Sequence, residues 1–273
     1  MKQWLLTFVL AVSSFSAFST ERIVTIGGDV SEIVFALGEG ERVVARDSTS
    51  QKPTELLALP DVGYMRMLNP EGILSMNPTL VLTSELAKPS LALKQLQDSG
   101  VEVIQITGKA ALEAVPEKIK TVAKAVNQTE RGEQLIQQYQ KALTEIPTTT
   151  LPTRILFVMS HGGIMPMAAG QKTAADKMIR AVGATNAMQG FNNYRPLSQE
   201  GVIASAPDLL LVTEDGIKSM GGLDKIWQLP GLKHTPAGQK QQVLIVDDMG
   251  LLGFGLNTPS VMKQLRQAAE KTQ

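Results

Sequence analysis

The sequence predicts an α/β protein of two lobes joined by a helical connector. Three observations carry that expectation. Apolar runs of strand length alternate with segments of helical period; the stretch 110–146 changes to a dense run of helix formers; and a phrase of the first half returns in the second.

Taken in order, RIVTIGG (22–28) reads as a strand closing on glycines. DVSEIVFALGEG (29–40) follows as a helix with Asp29 or Ser31 as cap and Gly38 as stop. RVVARD (42–47) is the next strand, NPEGILSM (69–76) a short helix, TLVLTS (79–84) a strand, PSLALKQLQDSG (89–100) a helix and VEVIQIT (101–107) a strand. Residues 110–146 keep helical apolar spacing through Leu135, Ile136, Tyr139 and Leu143, so they read as one or two helices, the later one long. IPTTTLPTR (146–154) breaks the chain with two prolines, and RILFVMSHGG (154–163) restarts as a strand. The pattern continues through KTAADKMIRAVGATN, DLLLVTED, LDKIWQLPGL and QVLIVDD to a last helix, SVMKQLRQAAEKTQ. The boundaries expected are a first lobe at 20–125, a connecting helix at 126–147 and a second lobe at 148–273.

Composition narrows the function. MKQWLLTFVLAVSSFSAFS (1–19) carries an early lysine, an apolar run and small residues at Ala17 and Ser19, which reads as an export signal cleaved near Thr20. Taking 19 from 273 residues leaves 254, enough for two cores without disulfides, and the chain has no cysteine. That excludes a thiolate metal site, a cysteine nucleophile and a lipid-modified N-terminal cysteine. The remaining 25 basic and 26 acidic residues give no global field for nucleic acid or an anionic membrane, which points to a small ligand.

The repeated phrase is LNPEGILSMNPTLVLTS (68–84), which aligns without gaps on LSQEGVIASAPDLLLVT (197–213) and pairs Glu71 with Glu200. Taken alone, each glutamate suits the positive end of a helix macrodipole. Just ahead of the first copy stand Tyr64, Met65, Arg66 and Met67; just ahead of the second stand Tyr194 and Arg195. His161 closes a strand in MSHGG. Open α/β sheets bind ligands beyond the carboxyl ends of their strands, so Tyr64 and His161 are placed to face a cleft between lobes. In an extended segment Arg66 would share a face with Tyr64. The residues alone leave alternatives: Tyr64 as a half-buried loop tyrosine, His161 as a turn residue, and the methionines as core filler. IGGDVSEI lacks the G-x-G-x-x-G of a dinucleotide site.

With these motifs and the ending WQLPGLKHTPAGQ…VDDMGLLGFG, the chain resembles the binding proteins of ABC importers that carry ferric siderophores, cobalamin or haem, and VGYMRMLNPEGILS and MSHGGIMPMAAGQKTAADKMIRAVGATNAMQGF resemble the periplasmic haem-binding members. The resemblance implies two Rossmann-like α/β lobes joined by a long rigid helix with a ligand cleft between them. It implies ferric haem as transported ligand, with Tyr64 and His161 as iron ligands; with that ligand, Arg66, Met65, Tyr194 and Arg195 are expected haem contacts by their placement and chemistry. Glu71 and Glu200 would dock onto a permease dimer with its ATPase subunits, downstream of an outer-membrane receptor. The expected protein is a periplasmic monomer that binds no nucleic acid. A siderophore or cobalamin carrier is the alternative within the class. An enzyme would need a converging nucleophile, base and orienting group, which two histidines and no cysteine do not suggest.

Overall fold

Four short apolar strands build the first sheet of the computed structural model, which describes residues 21–162 and 165–272. The expected export signal at 1–19 lies outside the described residues, as does Gly163. β1 (Ile23–Ile26), β2 (Val43–Arg46), β3 (Leu80–Ser84) and β4 (Glu102–Ile106) are all parallel in the order β2-β1-β3-β4. β1 and β3 are buried along their whole length, which explains their mostly apolar sequences. Between them run α1 (Gly28–Ala36), α2 (Pro70–Leu74) and α3 (Ser90–Asp98). The helical stretch divides into α4 (Val115–Ala125) and α5 (Thr129–Thr144), separated where Asn127 takes a left-handed backbone.

The second lobe repeats the first. Its parallel core is β5 (Arg154–Met159), β7 (Thr185–Asn186), β9 (Leu209–Thr213) and β10 (Val243–Val246), hydrogen-bonded as β10-β9-β5-β7. Read from the other edge this is the order of the first sheet, and β3 and β9 occupy the duplicated phrase. One addition has no counterpart in the first sheet: β6 (Met167–Ala169) and β8 (Tyr194–Pro196) extend β5 with antiparallel pairing. The helices are α6 (Ala174–Ala181), α7 (Gln199–Ser205), α8 (Glu214–Ser219), α9 (Leu223–Ile226), α10 (Pro236–Gln239) and α11 (Thr258–Glu270).

The duplication reaches the helix starts. Asn69 accepts from the Glu71 amide at 3.1 Å and Ser198 from the Gly201 amide at 3.1 Å, so each repeated short helix carries a polar side-chain cap. The cap expected at the start of α1 is absent. Neither Asp29 nor Ser31 caps it: Asp29 is buried as an ion-pair partner, and Ser31 donates to Thr25 at 2.7 Å.

One apolar cluster runs through both lobes. It includes Val30 and Val34 of α1, Ile119 and Val122 of α4, Leu251 and Phe254 of the segment 249–254, and Val261 and Leu265 of α11. Fully burying a Leu or Ile side chain contributes about 1.5–3 kcal/mol, so this joint binds the lobes firmly. Lys118 of α4, 1% exposed, crosses it to Asp29 and to the carbonyls of Gly253 and Phe254. Two further clusters lie one in each lobe, the first holding Met65, Leu68 and Leu96, the second Leu156, Val202 and Ile226.

Candidate functional site

Tyr64 sits in the loop after β2. Gly63 reaches φ +96° just before it, a conformation that suits glycine, and the Met67 amide donates to the Tyr64 carbonyl at 2.7 Å. Residues 64–67 therefore form a turn. The extended segment expected here, with Tyr64 and Arg66 on one face, is not what forms, because the 64-to-67 hydrogen bond closes the backbone on itself. Two backbone bonds to Lys88, one from Leu68 and one to Met65, each 2.8 Å, pin this turn to the lobe. Met65 points inward and is buried in the first lobe's own cluster, whereas Met67 is 76% exposed. Arg66 is exposed.

His161 follows β5, one residue after Ser160, and is exposed. Its ring centroid lies 5.9 Å from that of Tyr64, with the planes tilted by 37°. Two side chains from different lobes, almost a hundred residues apart, thus meet where the lobes face each other. That spacing is direct aromatic contact. A flat macrocycle held between two rings needs two van der Waals separations, roughly 7 Å, so a ligand lying between them requires the rings to part. A surface hollow of about 400 Å³ lies instead at the other end of β9, lined by Leu209, Gln242 and Lys271 among others.

Tyr194 and Arg195 belong to β8, paired with Ala169 and Ala168. The Arg195 guanidinium carbon lies 4.7 Å from the centroid of the Phe191 ring, a cation–π contact that fixes an otherwise flexible charge. Burial pushes the Tyr194 phenol above its ordinary range, so it stays protonated. Glu71 and Glu200 occupy the first turns of α2 and α7 and are exposed on both lobes.

A two-lobed α/β fold with equivalent sheets, a rigid joint and a pair of aromatic side chains facing each other across the lobes is the architecture of a substrate-binding protein, and the chain belongs to the periplasmic binding protein family, whose pattern matches residues 23–249. Among solved structures it is similar to the periplasmic heme-binding protein RhuT from Roseiflexus sp. RS-1, with 40% identity, a TM-score of 0.87 and 92% of this chain and 98% of that one covered. It is likewise similar to the periplasmic heme-binding protein BhuT in complex with two hemes, at 38% identity and TM-score 0.83, covering 92% and 98%. The periplasmic heme-binding protein HutB of Vibrio cholerae follows at 32% identity and TM-score 0.79, covering 93% and 99%. Curated relatives are more distant. They include a vitamin B12-binding protein of Vibrio cholerae, 24% identical with 81% of each chain covered. An uncharacterized ABC transporter substrate-binding lipoprotein of Bacillus subtilis is 25% identical over 73% of this chain, which spans 65% of that protein's length.

Proposed function

We propose that the protein captures ferric haem between its lobes and delivers it to an inner-membrane ABC importer. The observation that carries this reading is the Tyr64–His161 pair, one donor from each lobe, with ring centroids 5.9 Å apart. A phenolate is a hard anionic donor suited to ferric iron, and a neutral imidazole can approach from the opposite face. Arg66, on the same turn as Tyr64, is an exposed cation suited to a haem propionate. Tyr194, kept protonated by burial, suits hydrogen bonding rather than ligation, and Arg195 beside it can meet a propionate. Met65 supports the Tyr64 turn from below, and the exposed thioether of Met67 offers a polarisable surface to the macrocycle.

Glu71 and Glu200, on equivalent helices of the two lobes, would meet cations of the two permease subunits, a pseudo-twofold receptor on a twofold transporter. In this reading the chain is exported with loss of residues 1–19, works as a periplasmic monomer, takes haem that an outer-membrane system has admitted, and returns it unchanged, with no catalysis and no nucleic acid. Among the described residues no helix is long and apolar enough to cross a membrane.

The vitamin B12-binding relatives favour a second reading, in which the cargo is cobalamin or a ferric siderophore. The haem-binding proteins share considerably more of the sequence, which supports haem. A hemin titration followed by absorbance separates the readings. The expected result is saturable Soret changes with hemin and none on adding cobalamin or a ferric siderophore as competitor. A flat hemin titration would remove the haem reading.

A further inference from the structure

Beside the aromatic pair, a second set of contacts crosses between the lobes. Lys52, in the loop after β2, places its Nζ 2.6 Å from Oδ1 of Asp247 at the end of β10 and 3.3 Å from Oε2 of Glu214 at the start of α8. Its neighbour Gln51 donates from Nε2 to Oδ2 of Asp215 at 3.0 Å. The acceptors are themselves held. Asp247 takes the Gly250 amide at 2.7 Å on its other oxygen, and the Asp215 amide donates to Asp248 at 3.1 Å. Burial pulls the Lys52 ammonium down, but the hydrogen bond and charge of Asp247, then of Glu214, outweigh it and hold the lysine above its ordinary range.

Each end of this strap lies on the same loop or helix as a residue that contacts a neighbour of the aromatic pair. On the first lobe, Thr49 directs its Oγ1 to the Met65 sulfur at 3.8 Å, and Met65 adjoins Tyr64. On the second, Ser160 donates to Ser219 of α8 at 3.1 Å, and Ser160 adjoins His161. The shared core leaves the lobes only a small rocking motion about the joint. An ion pair tied to both loops limits that motion, and the rings must part from 5.9 Å to roughly 7 Å for a flat ligand to lie between them.

We propose that Lys52, acting through Asp247 and Glu214, is a positioning residue that sets the separation of Tyr64 and His161 and hence the rates at which cargo enters and leaves. The cargo rests on the haem reading; the control of lobe separation does not.

The test uses the full mature chain, whose lack of cysteine makes Gln97→Cys and Lys225→Cys clean sites for a spin-label distance between lobes. Lys52→Ala is expected to lengthen or broaden that distance and to raise hemin association and dissociation rates about three- to ten-fold with an unchanged saturated spectrum. Lys52→Arg should restore both, and 1 M salt should broaden the wild-type distance while leaving Lys52→Ala as it is. Glu214→Gln, on an exposed partner, should move the same readouts partway and serves if Lys52→Ala folds poorly. Wild-type distances and rates in Lys52→Ala would overturn the proposal, as would an altered saturated spectrum, which would put Lys52 on the cargo itself. If the wild type binds no hemin, the haem reading fails and the distance measurement alone judges the strap.

Discussion

Lys118 and Asp29, 89 positions apart, form a buried ion pair with Nζ and Oδ2 2.6 Å apart, and the same ammonium donates to the Gly253 carbonyl at 2.7 Å. One side chain of α4 thereby ties α1 to the second lobe. Removing one member of a buried pair leaves an uncompensated charge, at a cost of about 3–5 kcal/mol. Asp29→Ala is therefore expected to lower the melting temperature by roughly 10 °C or more, while replacing both residues by apolar ones of similar size costs far less. Equal melting temperatures for the wild type and Asp29→Ala would refute the assignment.

Glu32 makes stability fall with pH. Burial first, then the charges of Asp247 and Asp29, push its carboxyl from 4.5 up to about 8, and its Oε2 has no hydrogen-bond partner among the described residues. A hydrogen bond from the Leu256 backbone and the charge of Lys52 oppose the shift. Between these two pH values the unfolded chain releases the proton that the folded chain keeps, so stability drops by up to about 1.4 kcal/mol per pH unit and levels off above pH 8. Glu32→Gln should melt several degrees higher than wild type at pH 8 and about the same at pH 4.5. Parallel melting curves across that range would count against the buried acid.

Tyr64→Ala should lose ferric haem binding by at least about ten-fold in affinity, together with any phenolate-to-iron absorption band. Tyr64→Phe keeps the ring and should fail in the same way. Wild-type affinity and spectra in both would end the ligand assignment.

His161→Ala should change the iron's spin state while leaving binding through Tyr64. An identical hemin titration and identical spin state would make His161 a turn residue.

Glu71→Ala combined with Glu200→Ala should leave hemin titration unchanged and impair reconstituted transport. Because an exposed contact contributes about 1 kcal/mol or less, each single variant should show little. Transport at wild-type rates by the double variant, at low protein concentration and more than one salt concentration, would leave only the macrodipole role.

The buried strands were legible because β1, β3, β5 and β9 are mostly apolar, and the duplication was legible because Leu68–Ser84 and Leu197–Thr213 align without a gap. β6 and β8 were not: three residues each are too short for an alternation to register. The turn at Tyr64 was hidden because Tyr-Met-Arg-Met contains none of the usual turn residues, the only glycine standing just before it. Asp29 read as a cap since an acidic residue at a helix start ordinarily is one; its partner Lys118 lies 89 positions on, beyond the reach of any local pattern. The Lys52 strap joins opposite ends of the chain, and no local pattern announces a contact of that kind.

The apolar cluster that continues from α1 and α4 into α11 has a calorimetric consequence. Two lobes with separate interiors would melt as two transitions. Here neither interior is complete without the other, so heat should dissolve both in a single cooperative step, with calorimetric and van't Hoff enthalpies nearly equal. Partial melting of one lobe is then closed to the protein as a way of letting go of its cargo, and release must proceed by movement of two intact lobes.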